Sequence, residues 1–206
     1  VAFRAARSLV LTQTKLQRYS EAETWAGHAE VLAGGMADPG GLDAAEGHYL
    51  LLEEYVGQGD LEAADAQGDR APQKRVDALG SDPPLTAAVL RSLGRVYLAQ
   101  GRAREASDVF EQSLAVWEAA VGHDHPTIGE LLTLRGSALL AMGAPAEALG
   151  LVQDGLAIHE ATLPADHPRL AVDLDALSEI LTSLGRPEEA ELAKQRAIAV
   201  RSAKHP

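Results

Sequence analysis

The residues best suited to chemistry stand together near the middle of the chain, where His123, Asp124 and His125 are adjacent and Asp166 and His167 follow later. Imidazoles and carboxylates hold a metal only when they converge on one point, and immediate neighbours on a turn do not. Asp-His-Pro occurs at 124–126 and again at 166–168, which suits a hinge between helices, with Asp as cap and Pro in the first helical turn. The motif is therefore expected to cap helices and to bind no metal. His28, His48 and His159 fall on helical segments without partners at ligand spacing, and are expected to be satisfied or solvated. Glu53-Glu54 and Glu188-Glu189 are consecutive, so on a helix they point to different sides and cannot share a substrate as acid and base. Trp25 and Trp117 are isolated, as packing residues are, and form no platform for stacked bases. The chain has no cysteine, and therefore neither thiolate chemistry nor disulfides. It also lacks a phosphate-binding Gly-rich loop, a His-Glu-x2-His pair and a nucleophile elbow. No catalytic residue, metal or cofactor is assigned, and the expectation is a protein that is not an enzyme.

Composition agrees with a binding role. A formal charge of −12, spread along 206 residues, disfavours nucleic acid and anionic membrane as partners and accommodates a protein or peptide with cationic segments. No apolar run approaches the roughly 20 residues needed to span a bilayer. With no signal-peptide pattern at the start, a soluble, cytoplasmic protein is expected. Val1 in place of Met points to a processed chain or to a fragment of something larger. Abundant Ala and Leu with few aromatics favour helix over sheet.

The elements that must position these residues repeat every 42 positions. Gly59, Gly101, Gly143 and Gly185 keep that spacing, and Ala64, Ala106, Ala148 and Ala190 follow each of them by five. Pro84, Pro126 and Pro168 share it, as do Asp82, Asp124 and Asp166; Gln17 and Ala22 mark a first, divergent copy. A fixed period of this size is the mark of a repeat array. Within the third copy, Leu90, Leu93, Gly94 and Tyr97 lie at helical spacing, Gly101 supplies a turn, and Ala106, Val109, Phe110, Ser113, Leu114 and Trp117 resume it. Each copy is thus two antiparallel helices. Gly94, Gly136 and Ser178, with Ala106 and its equivalents, let the two helices approach closely. One hairpin cannot bury its apolar face, so the copies must stack.

The pattern Leu-x2-Leu-Gly/Ala-x2-Tyr, Gly, Glu-Ala, an aromatic or aliphatic residue, then Asp-His-Pro, is met best by residues 84–126. It is met well by 126–168 and 168–206, while the second copy keeps Leu51, Tyr55, Gly59 and Ala64 and the first keeps Leu9, Ala22 and Ala29. On these residues the chain resembles a tetratricopeptide-repeat (TPR) array of the kinesin-light-chain variety. The resemblance implies an all-α, right-handed superhelical solenoid of five helix-turn-helix repeats and about ten helices. It implies a single array over 1–206, with repeats at 1–41, 42–83, 84–125, 126–167 and 168–206. Kinesin light chains carry an Asn pair on the first helix of most repeats, whereas the paired positions here read Arg7-Ser8, Tyr49-Leu50, Arg91-Ser92, Thr133-Leu134 and Asp175-Ala176. Their cargo specificity is therefore not carried over. Gly68 and Pro72 fall inside the expected second helix of copy two and should break it. The last copy is four residues short, and an uncapped end exposes apolar surface that more chain or a partner would cover.

In such an array the first helix of each hairpin lines the concave wall, the default place for a ligand. The register puts Arg7, Leu11, Glu46, Tyr49, Glu53, Val56, Arg91, Arg95, Leu98, Glu130, Thr133, Leu140, Asp175 and Glu179 on it. The expected function is a scaffold or adaptor that binds a peptide or protein there. Two other roles fit the same sequence: a regulatory or sensory C-terminal arm of a larger signalling protein, and a self-assembly module whose repeat ends stack into homo-oligomers. Arrays similar in composition follow Ser/Thr-kinase or signalling-ATPase domains in GC-rich bacteria, a resemblance that implies a bacterial source.

Overall fold

The computed structural model describes residues 83–203, with side chains from 87 onward, and the single positions Thr24, Tyr55, Asp60, Glu62, Ala63 and Ala66. Nearly all of copies one and two, the Gly68–Pro72 segment included, lies outside the described residues. The chain divides into two compact units, residues 1–100 and 101–206.

In the first unit, α1 (Pro83–Ala99) opens on two prolines, which suit a first turn whose N–H groups have no helical partner. Ala87, Leu90, Leu93, Val96 and Tyr97 are buried at three-and-four spacing, while Arg95 is exposed. Earlier in this unit Asp60 Oδ1 accepts a 3.1 Å hydrogen bond from the Ala63 N–H, as a helix-capping side chain does.

The second unit contains α2 (Ala103–Val121), α3 (Pro126–Ala141), α4 (Pro145–Thr162), α5 (Pro168–Ser183) and α6 (Pro187–Ser202). The described residues are helical with connecting turns and contain no strand. Three-residue connections join α3 to α4 and α5 to α6, turning the chain straight back. Gly143 and Gly185 make these reversals at φ +79° and +71°, a conformation that strains any side chain with a Cβ. The next N–H reaches back in each case, Ala144 to the Leu139 carbonyl and Arg186 to the Leu181 carbonyl, both at 2.9 Å. This closes the helix end in the Schellman manner.

The caps at the other end differ from expectation. His125 and His167, not Asp124 and Asp166, occupy the N-cap positions, and each ring Nδ1 accepts from the backbone N–H two residues on, at 3.2 Å. Proline at the first helical position makes the residue immediately before it the cap, and in Asp-His-Pro that residue is His. Trp117 packs over one of these caps, its ring stacked on His125 with centroids 5.4 Å apart.

The core of this unit follows the helix pairs. Leu156 of α4 is buried with Leu170, Ala171 and Leu174 of α5 and Ala197 of α6. Ile180 of α5 is buried against Ala148 and Val152 of α4, flanked by Leu139, Leu140 and Leu177. Each large apolar side chain so covered contributes about 1.5–3 kcal/mol.

Candidate functional site

The close approach expected at Gly136 is present: a Cβ there would fall 2.5 Å from Val152 Cγ2. Ser178, its equivalent one period on, donates instead to the Ala190 carbonyl at 2.8 Å. The backbones of α3 and α4 come closer still at Gly129 and Gly155. A Cβ on Gly155 would lie 2.7 Å from the Gly129 carbonyl oxygen, and one on Gly129 would lie 2.8 Å from His159 Nε2.

This crossing brings together a buried polar cluster. His159, 1% exposed, sets Nε2 2.8 Å from the Pro126 carbonyl and Nδ1 2.5 Å from Asp173 Oδ2. Thr133 donates its hydroxyl to Asp173 Oδ1 at 2.8 Å. A carbonyl only accepts, so Nε2 carries a proton, and the Nδ1 contact must hold another between its two atoms or lone pairs would face each other. Asp173 comes from α5, and its partners from α3 and α4, so the cluster ties one hairpin to the next. His159 is thus satisfied, but inside the core and by a carboxylate that the sequence did not pair with it. The signal lay in the register: Asp173 follows Val89 and Leu131, His159 follows Trp117, and Gly129 and Gly155 replace Ala87 and Ser113. These departures from the period fall on positions that meet in space.

The cluster also takes Thr133 off the proposed wall. At 4% exposure, with its hydroxyl engaged, it packs the junction and offers no surface to a ligand. Glu130 is mostly covered and paired at 2.9 Å with Arg169 of α5. Leu140 is half-buried beside Ile180. In the first unit Arg91 and Leu98 are half-buried and Arg95 is exposed. Arg7, Leu11, Glu46, Tyr49, Glu53 and Val56 lie outside the described residues.

Asp175 and Glu179 line one cleft. With Ser178 and Thr182 of α5 and Lys194 of α6 they line an open cleft of about 460 Å³. At its edge Asp175 forms a two-pronged ion pair with Arg201, and those hydrogen bonds hold the guanidinium above its ordinary value. Glu179 and Lys194 are exposed. One period earlier, the corresponding places carry Thr133, Gly136, Ser137, Leu140 and Val152, most of them covered by α5. The face expected to be apolar at the end of the array is therefore largely polar, with Val172 and Ile198 as its exposed apolar residues.

Among the described residues no group of three His, Asp or Glu side chains is arranged to hold a metal ion, and no helix is long and apolar enough to cross a membrane.

Among solved structures, a Podosopora anserina protein of kinesin-light-chain type with nearly identical TPR-like repeats is similar over 98% of this chain and 95% of its own, with TM-score 0.73 and 19% identity. BtubC from P. vanneervenii matches 92% of this chain and 74% of its own, with TM-score 0.74 and 18% identity. MamA of MSR-1 matches 98% and 99%, with TM-score 0.60 and 19% identity. Identities this low establish the helical-repeat fold alone. No curated protein matches the chain. The tetratricopeptide-repeat family profile matches residues 55–119, 85–161 and 127–203 in overlapping pairs of copies. The chain belongs to the tetratricopeptide-repeat family.

Proposed function

We propose that this protein is a non-enzymatic interaction scaffold that binds a peptide or protein segment on the wall formed by the first helices of its hairpins. The observation that carries the proposal is the open cleft of about 460 Å³ where Asp175 and Glu179 of the first helix α5 meet Lys194 of α6, on the face that α3 and α4 one period earlier turn toward α5. A cleft of that size accepts side chains of a bound segment, and its walls offer carboxylates, hydroxyls and an ammonium but no nucleophile placed beside a base. Its exposed Glu179, like the overall charge of −12, favours a segment with cationic residues. Family membership supports the scaffold role, because repeat arrays work through extended surfaces.

The test is a quantitative pull-down and cross-linking comparison of the wild type with Arg91→Glu plus Arg95→Glu and, separately, Glu179→Lys. Cross-links should map to the wall, and partners captured there should be lost from at least one variant. Unchanged capture of every partner by both variants would overturn the wall as the binding surface.

A further inference from the structure

We infer that a second surface, on the second helices of the hairpins, holds an extended peptide segment with one large apolar side chain and a basic residue two positions from it. Between α4 and α6 lies a groove of about 310 Å³, floored by Leu174, Leu177 and Leu181 of α5 and bordered by Gln153 of α4 and Leu192 of α6. Its floor is another face of α5 than the one bearing Asp175 and Glu179. It therefore lies between two stacked hairpins and apart from the wall. One period earlier the corresponding place is bridged: Arg135 stands where Leu177 does and its guanidinium meets Glu111 of α2 at 3.0 Å, while Gly150 stands where Leu192 does. In the last pair of hairpins Glu111 becomes Gln153, Arg135 becomes Leu177 and Gly150 becomes Leu192. Together these departures remove a charged bridge and add two leucines around one groove. A single exposed leucine signifies nothing, but Leu192, 62% exposed on the lip of a leucine floor, extends that floor into a continuous apolar surface.

The polar groups around the groove select its occupant. The two charged residues that line it are already matched, Arg196 with Glu160 of α4 at 2.5 Å and Glu189 with Arg186 at 2.6 Å. Glu188, one turn before Leu192, is exposed and among the described residues has no hydrogen-bond or ion-pair partner. A cation beside the inserted apolar side chain complements it. A second copy of this chain would set Glu188 against acidic surface and a charge of −12 against the same charge, which opposes that pairing. Gln153 is likewise exposed and without a partner among the described residues, so its amide offers a donor and an acceptor across the groove. That suits the open peptide groups of an extended segment, whereas a helix bonds its own. Four residues of α6 rise about 6 Å, and side chains two apart on an extended segment stand about 6.6 Å apart on one face. The order apolar-x-basic therefore places one side chain over Leu192 and the next over Glu188.

A displayed library of short random peptides, selected on the immobilised full chain, tests this, with the enriched peptides synthesised and their affinities read by fluorescence anisotropy. Peptides with a large apolar residue and Lys or Arg two positions away should be enriched. Leu192→Asp should weaken them about tenfold or more, and Glu188→Lys should turn the preference from basic to acidic. Leu177→Arg plus Gln153→Glu, which rebuilds the bridge of the preceding copy, should also abolish binding. Leu192 and Glu188 are exposed, so unchanged thermal midpoints verify that those two variants fold. No enrichment, indifference to Leu192→Asp, or an unaltered charge preference in Glu188→Lys overturns the inference. Peptides that gain helix on binding, read by circular dichroism, overturn it as well. Self-association that disappears in Leu192→Asp would assign the groove to a second copy and overturn it too. Peptides lost in Glu179→Lys but kept by Leu192→Asp would overturn this groove and leave the wall standing.

Discussion

His159 of α4 and Asp173 of α5 meet 2.5 Å apart in the core of the second unit, at a junction whose other large contacts are aliphatic. The pair is fully desolvated, with Thr133 and the Pro126 carbonyl filling the remaining hydrogen-bonding positions. Such clusters cost much to break and little to replace as a whole.

Asp173→Ala should therefore destabilise the protein by about 3–5 kcal/mol, because it strands a buried imidazole and a buried hydroxyl. The triple change Thr133→Val, His159→Leu and Asp173→Leu removes every polar side chain of the cluster and restores the leucine found one period earlier at Leu131. It should be far less damaging than the single change, neutral or stabilising by about 1–4 kcal/mol. Urea unfolding of the three proteins measures both. A single variant no less stable than wild type would mean that the cluster contributes nothing to the junction.

The two glycine types on α4 should respond in opposite directions to alanine. At Gly155 the added methyl meets the Gly129 carbonyl oxygen at 2.7 Å, so α3 and α4 must separate, at about 1–3 kcal/mol. At Gly150 the space is open, and alanine should stabilise the helix by about 0.5–1 kcal/mol. Thermal midpoints that fall for the first and rise for the second are the expected result.

Gly185→Ala isolates backbone strain from packing. Nothing lies within 4 Å of the added Cβ, yet φ is +71°. A loss of about 1–2 kcal/mol is expected from the left-handed conformation alone, readable by denaturant unfolding, whereas no loss would mean that the turn relaxes to another conformation.

Acid should remove two surface contacts. Hydrogen bonds from Arg102 and Arg186 hold the Glu105 and Glu189 carboxyls below the usual carboxylate value of 4.5. Folded values below the unfolded ones mean stability present above the unfolded value and lost as pH falls through the folded one. Both pairs are solvent-exposed, so the effect is small. Glu105→Gln plus Glu189→Gln should lower the thermal midpoint slightly at neutral pH, and the offset from wild type should shrink as pH falls below 4.5. An offset that does not shrink would show that the pairs are not its source.

What the sequence determined by itself was the periodic part of the protein. Spacing of Leu, Gly and Ala residues fixes which face of each helix is buried, and glycine at 143 and 185 is demanded by the backbone of the turn, both of which are local properties. Copies one and two were legible as a more divergent form of the pattern, and nearly all of their residues lie outside those described. Tertiary structure decided everything that depends on which side chains meet across helices. His159 looked solitary because its partner stands 14 residues away on another helix, and Thr133 looked like wall because helical register cannot tell which part of a first helix the next hairpin covers. Caps fell to His125 and His167 because position next to proline outweighed Asp propensity. The polar face around Lys194 emerged only when the packing of α5 on α3 and α4 showed what that position does one period earlier. Contacts between copies are long-range in sequence, and a repeat encodes them as small departures from its own rule.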